Sequence, residues 1–304
     1  MILKDAVVEY VLDGSQVWAV RTIDQYRWHL DRWRDWLAGH GVVALSDVSR
    51  RLLREWSVGI RLTWSPATCR TAVIAVRGFL RWCEAEGFVS GGLSAVLRVR
   101  SVPKRVQRTV TPGEVSRVLA VCRPVSGMTA VEAEATGLRN VALVSLLYDS
   151  LLRAAELCAL GVGSVDVVTR RVLVVGKGGG ERLVPFSAAT GQRLHAWIEE
   201  RDRWARCSAL FVSIRGSTPG SGITPSGLRV IIRKLGQRAG VAGLSPHAFR
   251  RGGATAALVN GASTRFVQGV GGWSSVSMVE TYTQALQTTT EMYDRFAPMS
   301  GVDS

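Results

Sequence analysis

The sequence predicts a mainly α-helical chain in two parts: an all-helical N-terminal domain over residues 1–100 and, over residues 111–304, a mixed, mostly helical domain with a small antiparallel β-hairpin. Three observations lead there. The first hundred residues show only the three-to-four apolar spacing of helices. Residues 101–110 break that pattern with a proline among basic residues, and the second part is interrupted by two β-rich runs around a glycine cluster.

In chain order, Thr22 is placed to cap a helix with apolar positions Ile23, Tyr26, Leu30, Trp33 and Leu37, closed by Gly39 or Gly41. Ser46 opens a second helix through Leu53 and Trp56. Ser65 followed by Pro66 starts a third, which runs to Glu86 and stops at Gly87. On this third helix the spacing of Arg70, Arg77 and Arg81 stacks them on one face, away from Val73, Val76 and Leu80. That stripe reads either as a groove-facing basic surface or as a solvated face. The stretch RVRSVPKRVQR, Arg98 to Arg108, is a basic linker whose Lys104, Arg105 and Arg108 can follow a phosphate backbone. Thr111, Pro112 and Glu114 form a capping box that starts the second domain. Helices are then expected at Arg139–Leu151, Ala154–Leu160, Ala188–Trp204, Pro225–Ala239, Pro246–Asn260 and Thr264–Val270, with a short helix holding Tyr282. Arg171–Val175 and Arg182–Phe186 form the hairpin, and Lys177 sits at its glycine-rich tip.

Composition narrows the class. Of 304 residues 47% are apolar and 20% charged, an ordinary globular balance. No apolar run nears the roughly 18 residues needed to cross a bilayer, and the N-terminus, with Asp5 and Glu9, lacks a signal layout. A cytoplasmic protein without membrane partners is expected. Cys69, Cys83, Cys122, Cys158 and Cys207 are odd in number and widely spaced, which argues against a disulfide framework and a zinc site, and four of the five sit in apolar helical contexts that read as small buried hydrophobes. The net charge of +14 attracts polyanions. Residues 1–110 carry 17 basic against 10 acidic groups and residues 111–304 carry 21 against 14, so both parts can face nucleic acid. Only Lys4, Lys104, Lys177 and Lys234 are lysines, and arginine dominance suits bidentate phosphate contacts.

Cleaving a phosphodiester without metal needs a nucleophile, a proton donor for the leaving oxygen and fixed positive charge on the nonbridging oxygens. The second domain holds each type. DSLLRAAELCAL places Arg153 at a helix junction, with Glu156 able to brace it. The hairpin lifts Lys177, SPHAFRRGG sets His247 and Arg250 on one helical face, and GGWSSVSMVETYTQ brings Trp273 and then Tyr282. Each alone has a plainer reading: Arg153 as a structural ion pair with Glu156, His247 as a helix-start histidine, Trp273 and Tyr282 as packing aromatics. GKGGGE lacks the order of a nucleotide-binding P-loop.

The ordered set resembles the tyrosine recombinase (phage integrase) family, whose catalytic order is Arg, Lys, His-x-x-Arg, His or Trp, then Tyr. The resemblance spans nearly the whole chain and implies a helical, SAM-like core-binding domain before the catalytic one. It implies that Arg153 and Arg250 clamp the scissile phosphate, Lys177 protonates the departing 5′ oxygen, His247 relays a proton, Trp273 donates its indole N–H and Tyr282 attacks. It implies no cofactor. The partners it implies are double-stranded DNA sites, a homo-tetramer at synapsis and an accessory directionality factor. Residues 286–304 would form a tail, of which 286–300 dock on the neighbouring subunit or on their own domain. With the first long helix beginning near Thr22, the layout is similar to simple Cre- and Xer-type recombinases, or to a small phage integrase without an arm-binding domain. Two positions depart from the family pattern: Leu151 stands where glycine is usual, and Gly271-Gly272-Trp273 replaces the usual Leu-Gly-His. A type IB topoisomerase and a non-catalytic DNA-binding protein are the competing functions.

Overall fold

The computed structural model describes residues 1–101, 108–124, 126–176 and 179–283, with side chains omitted from 281 onward. The chain divides into two compact units, Met1–Arg105 and Val106–Ser304.

The first unit is helical. It contains α1 (Leu3–Gly14), α2 (Val20–Ala38), α3 (Arg50–Thr63) and α4 (Pro66–Ala85). The start of α4 follows from its sequence: Pro66 occupies the first turn, where it forfeits no hydrogen bond, and the Ser65 hydroxyl accepts from Thr68 N–H. Helix α4 is the central member and buries Val73, Val76, Phe79 and Leu80 against Trp33 of α2 and Tyr10 of α1.

Three expectations need correction here. Helix α1 was not foreseen, although Leu3, Ala6, Val7, Tyr10 and Val11 recur at helical spacing and are buried. Helix α2 begins at Val20, ahead of Thr22, because the Ala19 carbonyl already accepts from Thr22 N–H. Ser46 does not open a helix: Leu45–Asp47 is a single 3₁₀ turn, Val48 is extended, and the Ser49 hydroxyl caps α3 instead.

The second unit opens with α5 (Pro112–Ala120), held by the foreseen capping box between Thr111 and Glu114. Then come α6 (Ala130–Asp149), α7 (Ala154–Ala159), β1 (Val165–Asp166), β2 (Arg171–Val175), β3 (Glu181–Pro185), α8 (Ala188–Arg201), α9 (Pro225–Ala239), α10 (Pro246–Val259), α11 (Thr264–Gly271) and α12 (Val276–Thr283). Helix α6 starts nine residues earlier than the apolar pattern indicated, because a second capping box, Thr129 with Glu132, launches a polar first half. The sheet is antiparallel in the order β1-β2-β3 and includes one strand, β1, that the sequence reading lacked. Val172 pairs with Val184, and both point into the core.

That core surrounds α6, with Leu143, Leu146 and Leu147 fully buried among β2, β3, α8 and α9. A smaller cluster, made by Leu151, Ala254, Leu258, Val267, Trp273 and Val279, ties the end of α6 to α10, α11 and α12. Three of the five cysteines are buried, and burial pushes the Cys83 and Cys122 thiols up to about 12; Cys158 is half-buried and Cys207 exposed. Among the described residues no helix is long and apolar enough to cross a membrane.

Helix α10 approaches α6 so closely that a Cβ on Gly253 would lie 2.0 Å from the Tyr148 carbonyl oxygen and 2.7 Å from a Leu151 methyl. Since backbone cannot yield as a flexible side chain does, Gly253→Ala is expected to cost about 3 kcal/mol in urea denaturation. Gly113→Ala, where a Cβ meets open space, serves as the control and stays near wild type.

Candidate active site

The site begins where α6 ends. Leu151 adopts φ of +54°, a left-handed conformation that costs a non-glycine residue roughly 1–2 kcal/mol. Burying its side chain, 3% exposed, returns about 2 kcal/mol, which is why leucine is tolerated. The departure at this position therefore lies in the side chain, since the backbone takes the turn a glycine would take. The turn aims the Leu151 carbonyl at Arg250, whose Nη1 donates to it.

Two residues on, Arg153 caps α7. The Glu156 side chain reaches back to accept from Arg153 N–H at 2.8 Å and binds its guanidinium at 2.7 Å. Arg153 Nη2 also donates to the Gly272 carbonyl at 2.8 Å. The Arg153 side chain stays 45% exposed, while that of Glu156 is 6% exposed. Arg153 is thus both paired with Glu156, as its plainer reading expected, and still exposed.

Glu156 has a second partner that the sequence reading missed. Arg182, on β3, donates to both carboxylate oxygens, at 3.1 and 2.9 Å, and its Nε reaches the Val270 carbonyl at 3.4 Å. A signal existed: on the hairpin, Val172, Val174 and Val184 alternate inward, and Arg182 occupies the next position of that inward face, opposite Val174. Burial pushes the Glu156 carboxyl up, but hydrogen bonds from Arg182, then from the Arg153 backbone and side chain, bring it to below the ordinary 4.5. The group is ionised at neutral pH.

Helix α10 supplies the next pair. The Ser245 hydroxyl caps it and Pro246 occupies its first turn, which puts His247 at its exposed start and Arg250 one turn inward. His247 is exposed but partly desolvated. That desolvation, followed by repulsion from Arg251, Arg250 and Arg153, holds its imidazole below the ordinary 6.5. Arg250 is only 1% exposed. Its Nη2 donates to the Gly271 carbonyl at 2.8 Å, and its guanidinium carbon lies 4.0 Å above the Trp273 ring.

Trp273 explains the glycines before it. Its ring folds back so far that a Cβ on Gly271 would fall 1.9 Å from it. Gly272 ends α11 at φ of +63°, and a Cβ there would meet the Arg182 guanidinium at 3.0 Å. Val279 of α12, three residues before Tyr282, is fully buried in the same cluster as Trp273.

The structure therefore brings Arg153, Glu156, Arg250 and Trp273 together through shared partners around residues 271–272, with His247 close enough to feel Arg153 and Arg250. The backbone of Tyr282 lies in α12, but its side chain is outside the described residues. Lys177, Lys104, Arg105 and the tail 286–304 also lie outside them. Gly176 N–H donates to the Gly180 carbonyl at 2.7 Å, closing the hairpin around the tip that bears Lys177. Of the candidate DNA-binding stripe, Arg70 and Arg81 are exposed; Arg70 donates to the Arg100 carbonyl. Arg77 is half-buried, its Nε enclosed without an acceptor among the described residues. Arg108 is bound to Glu114 at 2.7 Å and to the Ala242 carbonyl at 2.7 Å.

Comparisons with known proteins show the family and the fold. The phage integrase family model matches residues 109–289, and that of the phage integrase N-terminal SAM-like domain matches residues 11–87. Tyrosine recombinase XerC of Corynebacterium efficiens is 36% identical over 241 residues, 79% of this chain and 74% of that one. Tyrosine recombinase XerD of Mycobacterium leprae is 32% identical over 285 residues, 87% of each chain. A lambda integrase dimer bound to a COC′ core site superposes with a TM-score of 0.74 at 15% identity, over 95% of this chain and 79% of that one. XerH bound to palindromic difH substrate, a post-cleavage complex, gives 0.70 at 18% identity, over 93% and 80%. The two structures share the fold.

Gly271 and Trp273 should behave as a coupled pair. Gly271→Ala is expected to cost at least about 1 kcal/mol less in a Trp273→His background than in the wild type, as a double-mutant cycle of thermal or urea melts. Additive costs would separate the two positions.

Proposed function

The chain belongs to the phage integrase family and is a tyrosine recombinase, and on that premise we propose that it cuts and rejoins DNA at specific sites through a 3′-phosphotyrosine formed on Tyr282, without metal or ATP. The observation that carries the proposal is the disposition of Arg153: braced from behind by Glu156, tied to the Gly272 carbonyl and still open to solvent, beside Arg250 and Trp273.

In this reading the Tyr282 phenol attacks the scissile phosphorus and the P–O5′ bond breaks. Arg153 and Arg250 neutralise charge on the nonbridging oxygens, an effect worth several kcal/mol for each well-placed donor, roughly 3 by analogy with oxyanion sites. The phenol proton passes to His247, whose lowered pKa keeps it neutral and able to accept at pH 7. Lys177 supplies the proton taken up by the leaving 5′ oxygen, and Trp273 directs its indole N–H to the phosphate. The phosphotyrosine conserves the energy of the broken ester, so a 5′ hydroxyl closes the strand by the reverse attack.

The DNA-contacting groups in this reading are Arg70, Arg77 and Arg81 of α4, with Lys104 and Arg105 between the units. Arg108, committed to Glu114 and a carbonyl, serves instead as a strut for the start of α5. Recombination joins two duplexes, so four protomers act on two sites, with an accessory directionality factor setting the outcome. Residues 286–300 dock on a neighbouring protomer in that assembly.

A nicked suicide substrate, which sheds a short fragment and strands the intermediate, tests the chemistry. Wild type is expected to form a DNA adduct that survives a denaturing gel and Tyr282→Phe is expected to form none; equal adduct from both contradicts the assignment. The acid limb of the cleavage rate provides a second check. A depressed imidazole pKa means the base stays neutral as pH falls through 6.5, so activity should decline only below that value. A midpoint at or above 6.5 would contradict the lowered pKa, and an acid limb unchanged in His247→Gln would remove His247 as the acceptor.

A further inference from the structure

Resting on the Tyr282 chemistry above, we infer that Arg182 is a positioning residue of this site: it shares the Glu156 carboxylate with Arg153, so that Arg153 keeps a net positive charge for the phosphate, and it anchors the Lys177 hairpin to the same carboxylate.

Charge balance comes first. A lone Glu156 at 2.7 Å would cancel most of the Arg153 charge that a phosphate is to feel. With Arg182 on the opposite carboxylate oxygen at 2.9 Å, two guanidinium groups meet one carboxylate, and the trio carries a net charge of +1. Among the described residues neither arginine is paired with a second carboxylate. The charge sits where it is useful, because the Arg182 side chain is 19% exposed and that of Arg153 is 45% exposed.

Geometry points the same way. Arg182 lies on β3 one residue beyond Glu181, which pairs with Val175 at the mouth of the loop holding Lys177. Its fork binds Glu156 of α7, while its Nε meets the Val270 carbonyl at the end of α11. Gly272 lacks a Cβ at the spot where one would press on this guanidinium. One side chain therefore joins three segments that carry Lys177, Arg153 and Trp273. A planar fork suits this, and a lysine can reproduce its charge but not its two-point grip.

The test uses the full chain and three readouts: single-turnover cleavage of the suicide substrate, affinity for the same DNA, and melting temperature. Arg182→Gln is expected to slow cleavage about 100-fold, the scale of a misplaced reacting group, with DNA affinity changed less than about threefold. Arg182→Lys should recover about tenfold of that loss, since charge returns without bidentate contact. Adding Glu156→Gln to Arg182→Gln should raise cleavage above Arg182→Gln alone, because the neutral carboxamide can still accept from Arg153 N–H while no longer cancelling the guanidinium charge. A purely structural Arg182 moves melting temperature without this rescue. The inference is overturned if Arg182→Gln cleaves within about threefold of wild type, or if the double variant is slower still. Should Arg182→Gln fail to fold, Arg182→Lys decides, and a wild-type rate overturns the proposal. A wild type that traps no DNA defeats the Tyr282 reading itself, whereas a trapping wild type with an unaffected Arg182→Gln defeats only this one.

Discussion

The site depends on how one buried carboxylate is shared. Glu156 closes the first turn of α7 through a backbone N–H, grips Arg153 and receives the fork of Arg182, so a helix start, a hairpin and, through the two arginines, the end of α11 are joined at it. Burial alone would make an ionised carboxylate there expensive. Four hydrogen bonds from two cations and a backbone amide offset that cost, and removing the carboxylate would leave two guanidinium groups uncompensated. The role proposed for Arg153 needs a side chain both fixed and available, and Glu156, 6% exposed, fixes one that stays 45% exposed.

Close packing does for Arg250 and Trp273 what ion pairing does for Arg153. Glycines at 252 and 253 let α10 lie against the Val110 and Tyr148 backbones, while Gly271 lets the Trp273 ring fold over its own helix end. Arg250 is then held by two carbonyls and a ring face, and the same small cluster seats α12 through Val279. The backbone of α12, which carries Tyr282, is held there through Val279, although it is remote in sequence from Arg153.

Local signals were legible in the sequence. Ser65-Pro66, the Thr111–Glu114 capping box, the β2 run and the Pro225–Ala239 helix are written in neighbouring residues and appear as read. The family was legible for the same reason, since the ordered motif from Arg153 to Tyr282 that pointed to it needs no knowledge of contacts. Arg182 was not, because its partners Glu156 and Val270 lie 26 and 88 residues away and only the fold supplies them. Nor was the burial of Arg250: an arginine in the sequence reads as exposed, and the Leu151 and Gly271 carbonyls and the Trp273 ring that enclose it are remote from it in sequence. Helix α1 was passed over despite a clear apolar repeat, and the polar first half of α6 hid its true start.

Mass-spectrometric peptide mapping of the protein–DNA adduct, after trapping and nuclease digestion, probes the nucleophile most directly. A nucleotide 3′-phosphate attached to the phenolic oxygen of Tyr282 is the predicted result. Attachment at any other residue, or a cleaved strand with no protein-linked nucleotide, would contradict it.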